Sequence, residues 1–447
     1  MNRRDFLRRA AASSLACSHT AGAQQSRKPN LLFILADQWR PQTLPSSGDP
    51  DLEAPHLKRL AREGAHFSRV YATNPVCSPS RASVLTGRYP HACGMPRNNL
   101  LLPLEERTMA EALRQAGYAT GYIGKWHLDG EDRPGFVPPG PRRRGFDYWA
   151  AFNRGHSYFS STYYRDADTP IRAEGFEPDY QTDLAIRFIE ENRSRPFYLF
   201  LSWGPPHTPR RPPPKYEKFY DPRRFHLRSN VPESYAGQAR AGLAGYYGLC
   251  TALDENLGRI LAAVDRAGLA DDTLVAFTAD HGDMVGSHGL EYKGVPFEES
   301  ARIPLLMRYP RRVEAGRVDQ TLVSNADYMP TLLAACGAAI PAGVQGRDLS
   351  RQLLDGAGGG PESVFSYGRL GTAGEWRMIV RGLDKLVVGR DMQPTHLYNL
   401  GHDPNEMNNL VSDTGRARSR DELRALLMDW MRRLGDRMDP SGLKKRA

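Results

Sequence analysis

Leu31-Leu32-Phe33-Ile34-Leu35-Ala36-Asp37 is the stretch that decides the fold class. An unbroken apolar run closed by a carboxylate is what a strand buried on both faces requires, and it delivers a polar group at the strand's carboxyl end. Runs of the same kind recur at Tyr198-Leu199-Phe200-Leu201 and at Leu274-Val275-Ala276-Phe277, the second leading to Asp280. Between them lie helical patterns at Met109 to Ala116, at Asp183 to Glu191 and over a long stretch from about Tyr235 to Ala267. This alternation predicts an α/β fold, a large mixed, mainly parallel sheet sandwiched by helices. In such sheets functional groups gather beyond the carboxyl ends of strands, where Asp37 and Asp280 both stand.

Further along, Gly356-Ala357-Gly358-Gly359-Gly360 marks a boundary. Strand patterns follow at Met378 to Val380, Leu386 to Val388 and His396 to Leu400, then a helix from about Asp421 to Leu434. They predict a small C-terminal antiparallel sheet with a covering helix, so that residues 24–355 form the large α/β domain and 356–447 a subdomain. The Pro- and Arg-dense segment from Pro205 to Arg228 reads as a long loop over the site.

Asn2-Arg3-Arg4-Asp5-Phe6-Leu7-Arg8, with the Ala-rich sequence up to Ala23, resembles a twin-arginine export signal over residues 1–23 and predicts a periplasmic or secreted protein. Its removal takes away four arginines and one aspartate, lowering the net charge from +9 to +6. Cys17 makes a poor lipoprotein site, because Ser14 stands where an aliphatic residue is expected. No apolar run is long enough for a transmembrane span, and 40% hydrophobic with 25% charged residues is a soluble composition. No aromatic-basic stacking module points to nucleic acid. Of the remaining cysteines, Cys250 and Cys336 fall in helical patterns and read as buried thiols, and no zinc-ligand spacing occurs.

Cys77-Ser78-Pro79-Ser80-Arg81 carries the chemistry. Proline at this spacing suits the first turn of a helix, where no backbone N–H is needed, and predicts Cys77 at the cap. The free N–H groups of such a terminus attract an anion, and Arg81, four residues on, presents a planar fork on the same face. With Ala82-Ser83-Val84-Leu85-Thr86-Gly87-Arg88, the stretch fits the C-x-P-x-R signature and resembles the type I sulfatases of the alkaline-phosphatase-like superfamily. The resemblance extends over roughly residues 28 to 350 through dispersed motifs, and His396-Leu397-Tyr398-Asn399-Leu400…Asp403-Pro404-Asn405-Glu406 matches a common C-terminal segment of that family.

Several assignments follow from the resemblance. Cys77 is oxidised to formylglycine by a formylglycine-generating enzyme, and a hydroxyl of the hydrated aldehyde attacks a sulfate ester. Asp37-Gln38 and Asp280-His281 correspond to metal-ligand segments, so Asp37, Gln38, Cys77, Asp280 and His281 are expected to hold Ca²⁺, or Mg²⁺ or another divalent ion. Many relatives carry Asp at the place of Gln38 and Asn at that of His281, so this site is less negative and less purely oxygen-donating. Gly124-Lys125-Trp126-His127-Leu128 resembles the G-K-W-H segment, Pro206-His207-Thr208-Pro209 the P-H-x-P segment, and Lys293 falls where relatives place a sulfate-binding lysine. Arg81, Lys125 and Lys293 would then hold sulfate oxygens, His207 would protonate the leaving alcohol and His127 would take a proton in the release step.

One argument for the lysines comes from composition: only nine of the 60 basic residues are lysine, which marks Lys125 and Lys293 as places where an ammonium able to give up a proton is wanted. Arg154 and His156, with Arg142-Arg143-Arg144, Arg210-Arg211 and Arg223-Arg224, are candidates for gripping acidic groups of a substrate. The function expected is hydrolysis of a sulfated carbohydrate, or of an aryl sulfate. The alternatives are a phosphonate monoester hydrolase or phosphodiesterase of the same superfamily, and a non-catalytic sulfoglycan-binding protein.

Overall fold

The computed structural model describes residues 28–436, so the export signal and Cys17 lie outside the described residues. Eight strands form the main sheet: β1 (Asn30–Asp37), β2 (Ala65–Phe67), β3 (Ala119–Lys125), β4 (Tyr148–Phe152), β5 (Phe197–Pro206), β6 (Thr273–Ala279), β7 (Leu305–Arg308) and β8 (Arg317–Asp319). Their spatial order is β8-β2-β7-β6-β1-β5-β3-β4. Strand β7 pairs antiparallel with β6 and β2, and the other pairings in the sheet are parallel. The sheet is therefore mixed and mainly parallel, as expected.

Strand β1 lies at its centre, and alternation along it explains the continuous apolar run. Leu31, Phe33 and Leu35 enter one buried cluster, with Met109, Leu113 and Met329, while Leu32, Ile34 and Ala36 enter another, with Leu184, Phe188 and Leu257. The helices that supply these partners are α1 (Pro55–Glu63), α2 (Cys77–Thr86), α3 (Met109–Gln115), α4 (Glu177–Glu191), α5 (Ala236–Arg266) and α6 (Tyr328–Ala335). Cys250 within α5 and Cys336 at the end of α6 are buried free thiols.

Beyond residue 360 the chain forms an antiparallel sheet of four strands, β9 (Ser363–Gly368), β10 (Trp376–Arg381), β11 (Asp384–Gly389) and β12 (Pro394–Asn399), covered by α7 (Ala417–Leu434). Sequence patterning marks only the last three strands. Val364, Phe365 and Tyr367 of β9 are all fully buried, but serines interrupt the run, so it carries neither strict alternation nor a continuous apolar signal. The segment after Pro206 is mostly loop, with one short helix at Pro214–Glu217 and a 3₁₀ turn at Pro222–Arg224.

Candidate active site

Strand ends and one helix terminus converge on a single point. Cys77 is the first residue of α2 and Val76 is its cap, which corrects the expectation that Cys77 itself caps the helix. Proline is tolerated throughout the first turn, so Pro79 announces a helix start without fixing its first residue. Asp37 ends β1, Lys125 ends β3, and Asp280 and His281 follow β6. All five side chains are buried. Gly124 has φ of +105°, and a Cβ there would lie 2.0 Å from the Ser202 carbonyl oxygen, which explains the glycine that precedes Lys125.

Each carboxylate divides its oxygens between two tasks. Asp37 Oδ2 accepts from Arg81 at 3.1 Å and from the Lys125 ammonium, while Asp37 Oδ1 faces Cys77 Sγ at 3.8 Å and His281 Nε2 at 3.7 Å. Asp280 Oδ2 accepts from Arg81 Nε at 3.0 Å, and its Oδ1 lies 3.6 Å from His281 Nε2 while accepting the Gln38 and His281 amides. Arg81 also donates to Ser202 Oγ and the Lys125 carbonyl, so every guanidinium nitrogen is committed within the protein. In this state Arg81 orients the two carboxylates and does not face an open pocket.

His281 Nδ1–H donates to the Gly282 carbonyl at 2.9 Å, which aims Nε2 at the same point, 3.2 Å from Cys77 Sγ. Ligand atoms of Asp37, Cys77, Asp280 and His281 lie within 4.8 Å of one another. Two ligands each about 2.4 Å from one ion and at right angles are about 3.4 Å apart, so the separations around His281 Nε2 fit a divalent cation. Gln38 Oε1 accepts the Lys293 ammonium, and its Nε2 donates to Asp283 Oδ2 at 2.7 Å. Asp283 in turn accepts from Arg210, which also binds Glu291 two residues before Lys293. This chain of contacts fixes the Lys293 loop against the Asp280 segment.

The field of the site is strongly cationic. Burial would raise the Asp37 pKa, but Lys125, His207, Arg81 and His281 together hold it well below the usual carboxylate range. Burial and the Asp37 carboxylate push the Cys77 thiol up, yet Lys125, Lys293 and His281 outweigh them and its pKa falls. Burial lowers His281, but Asp280 and the sulfur at position 77 raise it above the ordinary imidazole value. Burial, aided by Lys293 and Lys125 and opposed by Asp37, takes His207 down to about 3. Burial and Lys125 depress His127 and His156 as well.

Three imidazoles line the approach. His207 Nδ1–H donates to the Thr208 carbonyl at 2.6 Å, leaving Nε2 uncommitted, and its ring stacks on His156 with centroids 3.7 Å apart and planes 5° from parallel. His156 Nε2 faces the Lys125 ammonium at 3.4 Å. His127 Nε2–H donates to Asn99 Oδ1 at 3.0 Å, so Nδ1 carries the lone pair, buried and without a partner. Arg154 donates to the same Asn99 oxygen at 2.6 Å and to the Glu131 carbonyl, which makes it a brace for the His127 tautomer.

The structure thus brings together Asp37, Gln38, Cys77, Arg81, Lys125, His127, His156, His207, Asp280, His281 and Lys293, with Arg154 reaching the group through Asn99. Sequence reasoning missed Asn99, Asp283 and Ser202. Asn99 sits at φ of +67°, a conformation asparagine tolerates, and nothing local in the sequence signals its contact with His127. Most arginines of the basic runs are spent internally: Arg142 on Asp129, Arg143 on Asp166, Arg144 on the Leu104 carbonyl, Arg210 on Asp283 and Glu291, and Arg223 on Asp221.

A mixed, mainly parallel sheet with a buried charged centre at its carboxyl edge is the architecture of the alkaline-phosphatase-like fold, and the structural neighbours place the chain there. The sulfatase family model matches residues 29–338, and a model described as N-sulphoglucosamine sulphohydrolase, C-terminal, matches residues 286–433. The chain belongs to the sulfatase family, a family of sulfuric ester hydrolases. It is 39% identical over 333 residues to the ulvan-active sulfatase of Formosa agariphila, an alignment that takes in 73% of this chain and 65% of that longer protein. Against the N-acetylglucosamine-6-O-sulfatase of Bacteroides thetaiotaomicron it is 25% identical, over 95% of this chain and 90% of the relative. The crystal structure of yidJ from Bacteroides fragilis superposes with a TM-score of 0.86 at 30% identity, covering 94% of this chain and 98% of the other.

Proposed function

We propose that the protein hydrolyses a sulfate ester on a sulfated carbohydrate. The observation that carries this reading is the convergence of Cys77 Sγ, Asp37 Oδ1 and His281 Nε2 within 3.8 Å contacts, ringed by the ammonium groups of Lys125 and Lys293. Relatives named for ulvan and for N-acetylglucosamine-6-O-sulfate support a carbohydrate substrate. A formylglycine at position 77, made by a formylglycine-generating enzyme, supplies the nucleophilic hydroxyl. Ca²⁺ or another divalent ion, which Asp37, Asp280, His281 and the group at position 77 would hold, would supply positive charge against the sulfate oxygens, while Gln38, expected from the sequence as a further ligand, spends Oε1 on Lys293 and Nε2 on Asp283 and braces the site beside them.

The rest is done by side chains already in place. Arg81 holds one oxygen of Asp37 and one of Asp280, which leaves Asp37 Oδ1 aimed at position 77. Lys125 and Lys293 neutralise the sulfate, and the anion, once seated, offsets the lysines' share of the lowering of His207, to which burial contributes most. His207 Nε2 then carries a proton to the departing sugar oxygen, its ring plane set by the Thr208 carbonyl and by stacking on His156. His127 Nδ1, in the tautomer fixed by Asn99, accepts the proton of the second hydroxyl at position 77, so that the aldehyde re-forms as its bond to the sulfate oxygen breaks and sulfate leaves. His156 meets the sugar at the rim, and Arg154 serves through Asn99. Export by the twin-arginine route places this activity in the periplasm or outside the cell.

The test has two parts. Protein made alongside a formylglycine-generating enzyme is expected to yield a peptide across Cys77 that is about 18 Da lighter than the thiol form. It should release sulfate from sulfated sugars, with no release by Cys77→Ala. An unshifted thiol in an inactive protein would overturn the assignment, and faster turnover of a matched phosphodiester would favour phosphonate monoester hydrolysis.

A further inference from the structure

A second cleft opens on the outer side of the loop that carries Lys293. The Gly294 carbonyl accepts from Arg369 Nε at 3.0 Å and from Trp376 Nε1 at 3.1 Å, both at the β9–β10 hairpin of the C-terminal sheet. A Cβ on Gly294 would lie 3.8 Å from Val76 Cγ2, on the residue just before Cys77. The hairpin is therefore docked one layer out from the reacting position. Between it and the Val295–Phe297 segment lies a cleft of about 640 Å³, within the roughly 300–1,000 Å³ of small-molecule sites.

The lining combines an apolar floor with uncommitted cations. Val295, Phe297, Trp376 and Val387 supply the floor. Arg369 uses only Nε on Gly294, and its terminal nitrogens carry no hydrogen bond among the described residues. It adopts φ of +55°, a costly conformation for arginine that the Gly294 contact helps to hold. Arg390 is half-buried and has neither a hydrogen bond nor an ion pair among the described residues. Two acids also line the cleft: Glu375 spends both oxygens, on Arg377 and the Gly371 amide, and Asp391 spends Oδ1 on the Gln393 amide.

Resting on the sulfated-carbohydrate reading, we infer that this cleft is an outer glycan subsite for an anionic sugar next to the one whose sulfate is removed. The ring lies on the Trp376 and Phe297 floor, and a carboxylate or second sulfate is taken by Arg369 and Arg390. Both anions present planar or tetrahedral oxygens to a guanidinium fork, so the chemistry is shared and the substrate panel separates them.

Binding is measured by calorimetry in the Cys77→Ala background, so that it does not depend on turnover. The probes are a sulfated monosaccharide and three sulfated disaccharides whose neighbouring unit is a uronic acid, a second sulfated sugar or a neutral sugar. The anionic disaccharides should bind at least tenfold more tightly than the neutral one, and Arg390→Ala should erase that margin, with Arg390→Lys restoring part of it. Arg369→Ala should act in the same direction. Disaccharides that bind no better than the monosaccharide, or a variant that weakens all four probes equally, would overturn the subsite. The parent reading is judged apart from this, by whether the unsubstituted, matured protein releases sulfate from the monosaccharide.

Discussion

Two buried clusters of charge in this molecule contain the same kinds of groups and do opposite things. Around Asp37 and Asp280, Arg81 and Lys125 occupy one oxygen of a carboxylate and leave Asp37 Oδ1 facing the sulfur of Cys77 and the lone pair of His281. Where the C-terminal sheet meets the main domain, Lys385 lies 3.0 Å from Glu298 Oε1 and 2.6 Å from Glu406 Oε1. There the second oxygens are used as well, Glu298 Oε2 by Tyr71 and Glu406 Oε2 by the Glu298 amide. Glu299 beside them accepts from Arg228 and Asn230. Both clusters can gather three or more metal-type donors, but at the junction Lys385 already bridges Glu406 to Glu298 and Arg228 holds Glu299 Oε1, with Glu299 Oε2 alone left buried without a partner among the described residues. A buried charge cluster becomes a site when its pairing is left incomplete toward one point, and a fastening when a cation of the chain already stands between its carboxylates.

The contrast is sharpest in paired lysine substitutions. Lys125→Met removes an ammonium that faces the reacting centre, and kcat/KM on a sulfate ester should fall about 10³-fold, in line with loss of a transition-state electrostatic contact. Stability should move by less than about 1 kcal/mol, because Arg81 remains on Asp37 and the site is over-supplied with positive charge. Urea unfolding beside steady-state kinetics reads both quantities, and a large stability loss without a kinetic one would break the distinction.

Lys385→Met is the mirror experiment. It strands Glu298 and Glu406 without their shared counter-ion in a fully buried position, at a cost of about 3–5 kcal/mol. The expected readout is a lower urea midpoint, with kcat on a small aryl sulfate within about twofold of the parent at a temperature where both are folded. If the variant matches the parent in stability, the junction cluster is not a fastening.

This division also explains what the sequence disclosed. Strands β1, β5 and β6 were legible because a strand buried on both faces needs an unbroken apolar run, and the motif residues because Cys77 with Pro79 and Arg81, or Gly124 before Lys125, meet local backbone demands. Lys385 looked like any strand lysine, since its partners are 87 residues away at Glu298 and on a later loop at Glu406. Asn99 was equally silent, because its role depends on His127, 28 residues on. Arg154 was legible as a cation, but its destination was not: a basic side chain announces charge, and only the fold decides whether that charge meets substrate or a neighbouring amide.

A third buried position tests the comparison from the side of a group with no counter-ion. His66 on β2 is 3% exposed and its Nδ1 has no hydrogen-bond partner. Burial, with the nearby Arg302, lowers its pKa from 6.5 to about 4. A folded-state value below the unfolded one means that its neutral form is favoured in the native protein, so its contribution is fully present above pH 6.5 and is lost as pH falls toward 4. Relative to His66→Gln, which does not titrate there, the parent should therefore lose about 2–3 kcal/mol between pH 7 and pH 4.5. Urea midpoints of both proteins at the two pH values measure it. Parallel shifts would mean that the unfolded chain protonates no more readily than the native one, and that burial without a counter-ion is better tolerated on β2 than in either charge cluster.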